Sequence, residues 1–167
     1  KLPDFIRGKK GSWKISAGEW VVDNPLIIDG DLLISPGSRI KFKDDSYIIV
    51  KGSVKAVGKK NKPIIFEPLQ ESWKGIYVFE AQKQSILEHV IIKNTAALED
   101  GILNLTGGVS FYRSDARFKN VTIDGTIAED ALNIIESDFK LEKVTIRNTV
   151  SDGLDSDYST GTIVDSE

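Results

Sequence analysis

The sequence predicts an all-β chain wound as a right-handed parallel β-helix, a solenoid of three short strands per rung and about six rungs with an N-terminal cap. Three observations predict it. Segments 85–95 (SILEHVIIKNT), 116–126 (ARFKNVTIDGT) and 139–149 (FKLEKVTIRNT) align without gaps, placing Val90, Val121 and Val144 in one column. A short apolar strand pattern precedes each copy at 76–79, 109–112 and 132–135, and 154–157 stands in the same relation to 161–164. No stretch holds a helical period over a dozen residues.

Taken in chain order, residues 1–25 carry Phe5, Ile6, Trp13, Ile15 and Trp20 and are expected to cap the solenoid. Residues 26–167 are expected to form the coil. Its early strands lie at 32–34, 39–42, 48–50, 53–57 and 63–66, separated by turn pairs such as Asp29-Gly30 and Pro36-Gly37. Residues 96–106 lengthen one repeat and read as an inserted loop or an additional short strand. Within each later copy the inward phase changes, as between Leu141 and Val144, which requires a bend between two strands. Stacked rungs about 4.8 Å apart would bury one continuous apolar column and pair the backbone of each coil with the next. Its interior is expected to hold Ile76, Val78, Val109, Phe111, Leu132, Ile134 and Leu154. Asn94 and Asn148 occupy equivalent turn positions and read equally as an internal stack or as solvent-facing turn residues.

Composition narrows the functional classes. A net charge of −3 gives no general basis for binding nucleic acid or an anionic membrane, and the basic run at Lys59, Lys60 and Lys62 reads as a solvated loop. No cysteine is present, which removes disulfides and thiolate metal sites. No apolar run is long enough for a membrane span. Phosphate-binding glycine loops, HExxH and nucleophile-elbow motifs are missing.

The stretches PLIIDGDLLISPGSRIKFK (25–43), VKGSVKAVGKKNKPIIF (50–66), WKGIYVF (73–79), LTGGVSFY (105–112), EDALNIIES (129–137) and SDGLDSDYSTGTI (151–163) resemble bacterial right-handed parallel β-helix repeat proteins of the pectate-lyase-like superfamily. The resemblance runs from about Trp20 to the end. It implies an extracellular or cell-surface setting and a polysaccharide partner. It implies nothing specific about activity, because fold does not confer function. Members of that superfamily include lyases, hydrolases and epimerases as well as adhesins. The chain departs from the family pattern by stopping after the second strand of a rung, so an uncapped rung is expected to be covered by further chain or by self-association.

Aligned rungs place candidate site residues in columns. Ser110, Asn133 and Asp155 should stack outward under Tyr77, with Phe79, Tyr112, Ile135 and Asp157 beside them. Asp130 and Asp152 should stack at the entry to the same strands, with Asp100 a further member if the insertion keeps register. Three readings of the acids stay open. Asp130, Asp152 and Asp155 could bridge a Ca²⁺ ion; Asp155 and Asp157 could serve as an acid–base pair on a glycosidic bond; or the acids form a solvated turn. Tyr77, Phe79, Tyr112 and Tyr158, with Asn133, are the candidate sugar-binding residues, the alternative being that the rings pack beneath 96–106. His89, the single histidine, sits at a bend and reads as structural. The leading expectation is a secreted or cell-surface module that binds polysaccharide on an outward parallel sheet. The alternatives are a lyase, hydrolase or epimerase of a uronic-acid polymer, and a stalk or filament subunit joined through open solenoid ends.

Overall fold

The computed structural model describes residues 2–101 and 103–167. Alternating apolar and polar residues rich in Val and Ile form strands throughout, and no helix occurs among the described residues. The strands wind into a parallel β-solenoid of about 7 turns. In chain order they are β1 (Ile6–Lys9), β2 (Gly11–Ile15), β3 (Gly18–Val22), β4 (Leu26–Ile34), β5 (Ser38–Phe42), β6 (Ile48–Lys51), β7 (Val54–Val57), β8 (Ile64–Pro68), β9 (Ile76–Phe79), β10 (Ser85–Thr95), β11 (Leu98–Asp100), β12 (Leu103–Leu105), β13 (Gly107–Tyr112), β14 (Ala116–Thr126), β15 (Asp130–Ile135), β16 (Asp138–Thr149), β17 (Asp152–Asp157) and β18 (Thr160–Val164).

The register follows the sequence columns. Val90 lies beside Val121 and Val121 beside Val144. On the first sheet Ile76, Val109, Leu132 and Leu154 are successive neighbours, as are Val50, Val78, Phe111 and Ile134. Of the expected interior residues only Leu154 is less than fully covered. The expected bend is present as well. His89, Asn120 and Lys143 occupy it with φ of 49°, 51° and 53°, a left-handed conformation that swings two consecutive apolar arms inward. One arm of β10 pairs with β7 and the other with β8, which is how one long strand supplies two sides of a rung. A second left-handed corner follows the first sheet at Glu80, Arg113, Glu136 and Tyr158. Asn94 and Asn148 are also left-handed and exposed, so they are solvent-facing turn residues and not an internal stack.

The rung count rises above the expected six for a specific reason. β2 and β3 pair in parallel with β4 and β5, so residues 11–22 already make a turn of the coil. The antiparallel partner β1 lies against β2, and Leu2, Phe5, Trp13 and Trp20 pack on the core nearby. The insertion is neither a plain loop nor a single strand. β11 and β12 form a small antiparallel hairpin within it, while Ile102 lies outside the described residues.

Backbone groups at the corners are satisfied by a ladder that links successive rungs. Ser114 Oγ accepts the Ala81 N–H, Ser137 Oγ accepts the Ser114 N–H and Ser159 Oγ accepts the Ser137 N–H, at 3.0, 2.8 and 3.1 Å. Thr95 and Thr126 make a second buried pair, hydroxyl to hydroxyl at 2.9 Å. Each would otherwise leave a buried polar group without a partner, the costly outcome in a solenoid interior.

Candidate functional site

The later rungs of the first sheet present an outward strip. Leu132 and Ile134 point inward from β15, so Asn133 between them points out. Ser110, Asn133 and Asp155 are in-register neighbours on β13, β15 and β17. Gly107, Asp130 and Asp152 form the column at the strand entries, and Phe79, Tyr112, Ile135 and Asp157 the column on the other side. The columns expected from rung alignment are therefore the columns observed, apart from one member. Asp100 lies on β11, where its carboxylate accepts the Tyr47 hydroxyl at 2.9 Å, and so does not join the acids of the entry column.

The middle of the strip is partly withdrawn from water. Asp130 is 5% exposed and Asn133 is 7% exposed. Asn133 Nδ2 donates to Asp130 Oδ2 across a long 3.4 Å contact. Asn133 Oδ1 is buried and accepts no hydrogen bond. Burial pushes the Asp130 carboxyl above its ordinary value, the charges of Asp155, Glu129 and Asp152 push it the same way, and the Asn133 amide pulls against them. Among the described residues no three His, Cys, Asp or Glu side chains come close enough together to hold a metal ion. The expected Ca²⁺ ligands Asp130, Asp152 and Asp155 thus share a strip without forming a cage. Asp155 and Asp157 are alternate residues of β17 and lie in different columns, with Asp157 exposed.

The Asp130 shift makes a direct prediction. A carboxylate whose folded pKa lies above its unfolded value destabilises the fold when ionised, so the penalty is full above the folded pKa and is released as pH falls through it. Asp130→Asn should therefore raise the melting temperature slightly at neutral pH, by a few degrees at most. That gain should shrink on acidification and vanish below the unfolded value of about 3.9. Thermal melts of both proteins from neutral to acid pH check this; a gain that grows on acidification would contradict the buried, like-charged environment.

The expected row of exposed rings is replaced by a covered one. Tyr77 is 0% exposed: its hydroxyl donates to the Lys74 carbonyl, and its ring joins a satellite cluster with Tyr47, Ile49 and Leu98. Burial pushes the Tyr77 phenol well above its ordinary range. Phe79 packs on the same cluster, as does Leu105, so the hairpin acts as a cover over this part of the sheet. Tyr112 is half-buried, edge-on to Phe79, with the Arg113 guanidinium 5.1 Å from its ring centre. Tyr158 is 93% exposed but occupies a left-handed corner after β17 and is not part of the ring column. For Tyr77 and Phe79 the physical reason is the hairpin: three-residue β11 and β12 supply Leu98 and Leu105, and these outward aromatics lose water-exposed apolar surface beneath them.

An aromatic platform is thus not what this face presents, and of the Ser110, Asn133 and Asp155 column only Asp155 is open to water, since Ser110 and Asn133 are buried. The column argument alone does not single out the unpartnered Asn133 oxygen; an Asn between two inward apolar residues, three positions before the Glu136 corner, is the signal that carries it. No family model matches the chain, and neither a curated protein nor a solved structure matches it.

Proposed function

We propose that this solenoid is a module of a secreted or cell-surface protein and that it binds polysaccharide along the strip formed by Ser110, Asn133 and Asp155. The observation that carries the reading is their register. Hydrogen-bonding side chains recur once per rung on a flat parallel sheet, and the rung spacing of about 4.8 Å is close to the length of one pyranose unit. An extended polymer lying along the coil axis would meet the half-buried Asp155 at the open end of this column, with the half-buried Tyr112 and Ile135 as the apolar border. Right-handed winding and kinship to the pectate-lyase-like superfamily belong to the same proposal; the strong right-handed preference of parallel crossovers supports the winding. Binding is preferred over turnover because Asp155 and Asp157 stand in separate columns, with Asp157 exposed.

The test is affinity electrophoresis and calorimetry against a panel of soluble polysaccharides, with Asp155→Ala and Tyr112→Ala as the probing variants. Asp155→Ala is expected to weaken the best ligand about tenfold, the equivalent of one well-placed hydrogen bond. Retention of every glycan by both variants would move binding off this strip, and failure of the whole panel would end the polysaccharide reading.

A second reading, assembly through the last rung, is favoured by one observation. β17 and β18 each pair on one side only, and Leu141, Val144, Leu154 and Ile163 line an apolar recess beside them. Sedimentation velocity over a wide concentration range separates the two, since a monomer at high concentration speaks against assembly.

A further inference from the structure

We infer that the second sheet of the coil carries a further binding surface, a cationic track along the coil axis that takes a linear acidic glycan. The inference stands apart from the strip on the first sheet and does not rest on it.

Register sets the track. The second sheet is formed by β2, the second half of β4, β7 and the first halves of β10, β14 and β16, and one outward column runs its length. Arg7 on β1 lies beside Lys14, Lys14 beside Leu33 and Leu33 beside Lys55. Ile86 follows, then Arg117, then Lys140 beside Thr162. Every basic side chain of the column is exposed, and the column holds no acid. Successive members stand about 4.8 Å apart.

The sign pattern separates this column from its neighbours. On the third sheet, formed by β3, β5, β8 and the second halves of β10, β14 and β16, charges alternate: Lys41 faces Glu67, Lys93 faces Asp124 and Asp124 faces Arg147. Directly beside the track, Glu88 faces Lys119 and Lys119 faces Glu142. Alternation is what a sheet favours for its own stability, since like charges placed opposite one another destabilise it. The track breaks that rule at Arg7 against Lys14 and again at Arg117 against Lys140. Its field reaches Glu142, whose carboxyl is held below its ordinary value by Lys119 first and then by Lys140 and Arg117. A chain with a net charge of −3 thus keeps one basic line.

The shape of that line selects the ligand. It is one residue wide, so it matches a polymer and not a plane; an anionic membrane or a duplex would also meet Glu88 and Glu142 alongside. Single-stranded nucleic acid gains affinity by stacking on aromatic rings, and neither the track nor the Glu88 column beside it holds one. Leu33, 41% exposed, and Ile86 stand between the cations and offer apolar contact to sugar C–H faces. The Lys and Arg side chains supply charge-assisted donors to carboxylate or sulfate groups.

The experiment titrates the full chain with four oligomers of equal length: galacturonate, its uncharged methyl ester, a sulfated glucan and oligothymidylate. Galacturonate or the sulfated glucan should bind at least about tenfold more tightly than the methyl ester, and added NaCl should weaken that binding. The tighter of the two identifies the acid group. Lys55→Gln with Arg117→Gln should remove about tenfold of the affinity and, because Arg117 faces Lys140, should melt no lower than the parent. Lys51→Gln with Lys93→Gln removes two cations from the first and third sheets and should leave binding within about twofold, as should Asp155→Ala on the strip. Equal loss in the Lys51 and Lys93 variant overturns the track, because attraction would then be general, and equal loss in Asp155→Ala moves the acidic glycan to the strip. Methyl-ester binding as tight as that of the acids, tighter binding of oligothymidylate, or a melting temperature lowered by several degrees in the Lys55 and Arg117 variant also overturns it. Binding of none of the four ends the track, while the neutral glycans of the broader panel still decide the strip separately.

Discussion

Trp73→Ala is expected to lower the stability of this protein by about 3–5 kcal/mol, the range for emptying a fully buried indole site. Trp73 is 0% exposed, and its ring stacks on Phe42 with centroids 3.9 Å apart and planes within 13°. Phe66 lies 6.4 Å from both rings, so two adjacent coils contribute to one aromatic cluster. The indole N–H donates to the Lys93 carbonyl at 2.7 Å, and the Trp73 carbonyl accepts the Ala96 N–H. Truncation would therefore open a cavity and orphan a carbonyl at the joint between early and late rungs. In a solenoid, stability is close to a sum of nearest-neighbour terms, so a weakened joint should also reduce cooperativity. Urea titration followed by far-ultraviolet dichroism should show a lower midpoint and a broadened or two-step transition. Trp73→Phe, which keeps a ring but not the N–H, should lose about 1–2 kcal/mol. A loss below about 1 kcal/mol for the alanine variant would mean that the cluster does not couple the rungs.

The coil was readable from the sequence because stacking repeats the same demand at every turn. Val90, Val121 and Val144 share one neighbour relationship, so selection of an apolar residue at one implies the others, and the phase change around Lys143 forces the corner that the backbone shows. The columns of Ser110, Asn133 and Asp155 followed from the same arithmetic. Three features escaped it, each because no repetition marks them. Residues 11–22 form a rung, yet Trp13 faces Leu32 and Gly11 faces Gly30, pairs with no shared motif. Leu98 reaches Tyr47 and Tyr77 from a three-residue strand, too short for an alternation signal. That Asn133 Nδ2 reaches Asp130 while Oδ1 is left without a donor depends on side-chain placement, which no spacing encodes. The serines at 114, 137 and 159 do recur at rung spacing, and the ladder they form was open to the same reading as the valines.

Gly75→Ala should cost about 3–4 kcal/mol, and comparison with Gly11→Ala shows why. Both glycines hold nearly the same left-handed backbone, φ +89° at Gly75 and +86° at Gly11, so the conformational penalty of a side chain is nearly the same for each, about 1–2 kcal/mol. Their surroundings differ. A Cβ on Gly11 meets nothing within 4 Å, whereas one on Gly75 would stand 2.0 Å from the Gly108 carbonyl oxygen on the neighbouring rung. That oxygen is backbone and has no rotamer to escape into, so β9 and β13 must separate or Gly75 must leave its turn. The Gly75 carbonyl also accepts the Ile48 N–H at 3.0 Å, which ties the strain to the preceding rung. The difference between the two variants, measured as the difference in urea midpoint at constant slope, isolates the steric part from the conformational part. β13 carries Ser110 and sets the register of Asn133 on β15, so under the proposed polysaccharide reading Gly75→Ala should also weaken binding while every strip side chain stays intact. Equal losses for the two variants would show that the rungs yield at this contact, and the strip would then be a compliant surface and not one held in register by close backbone packing.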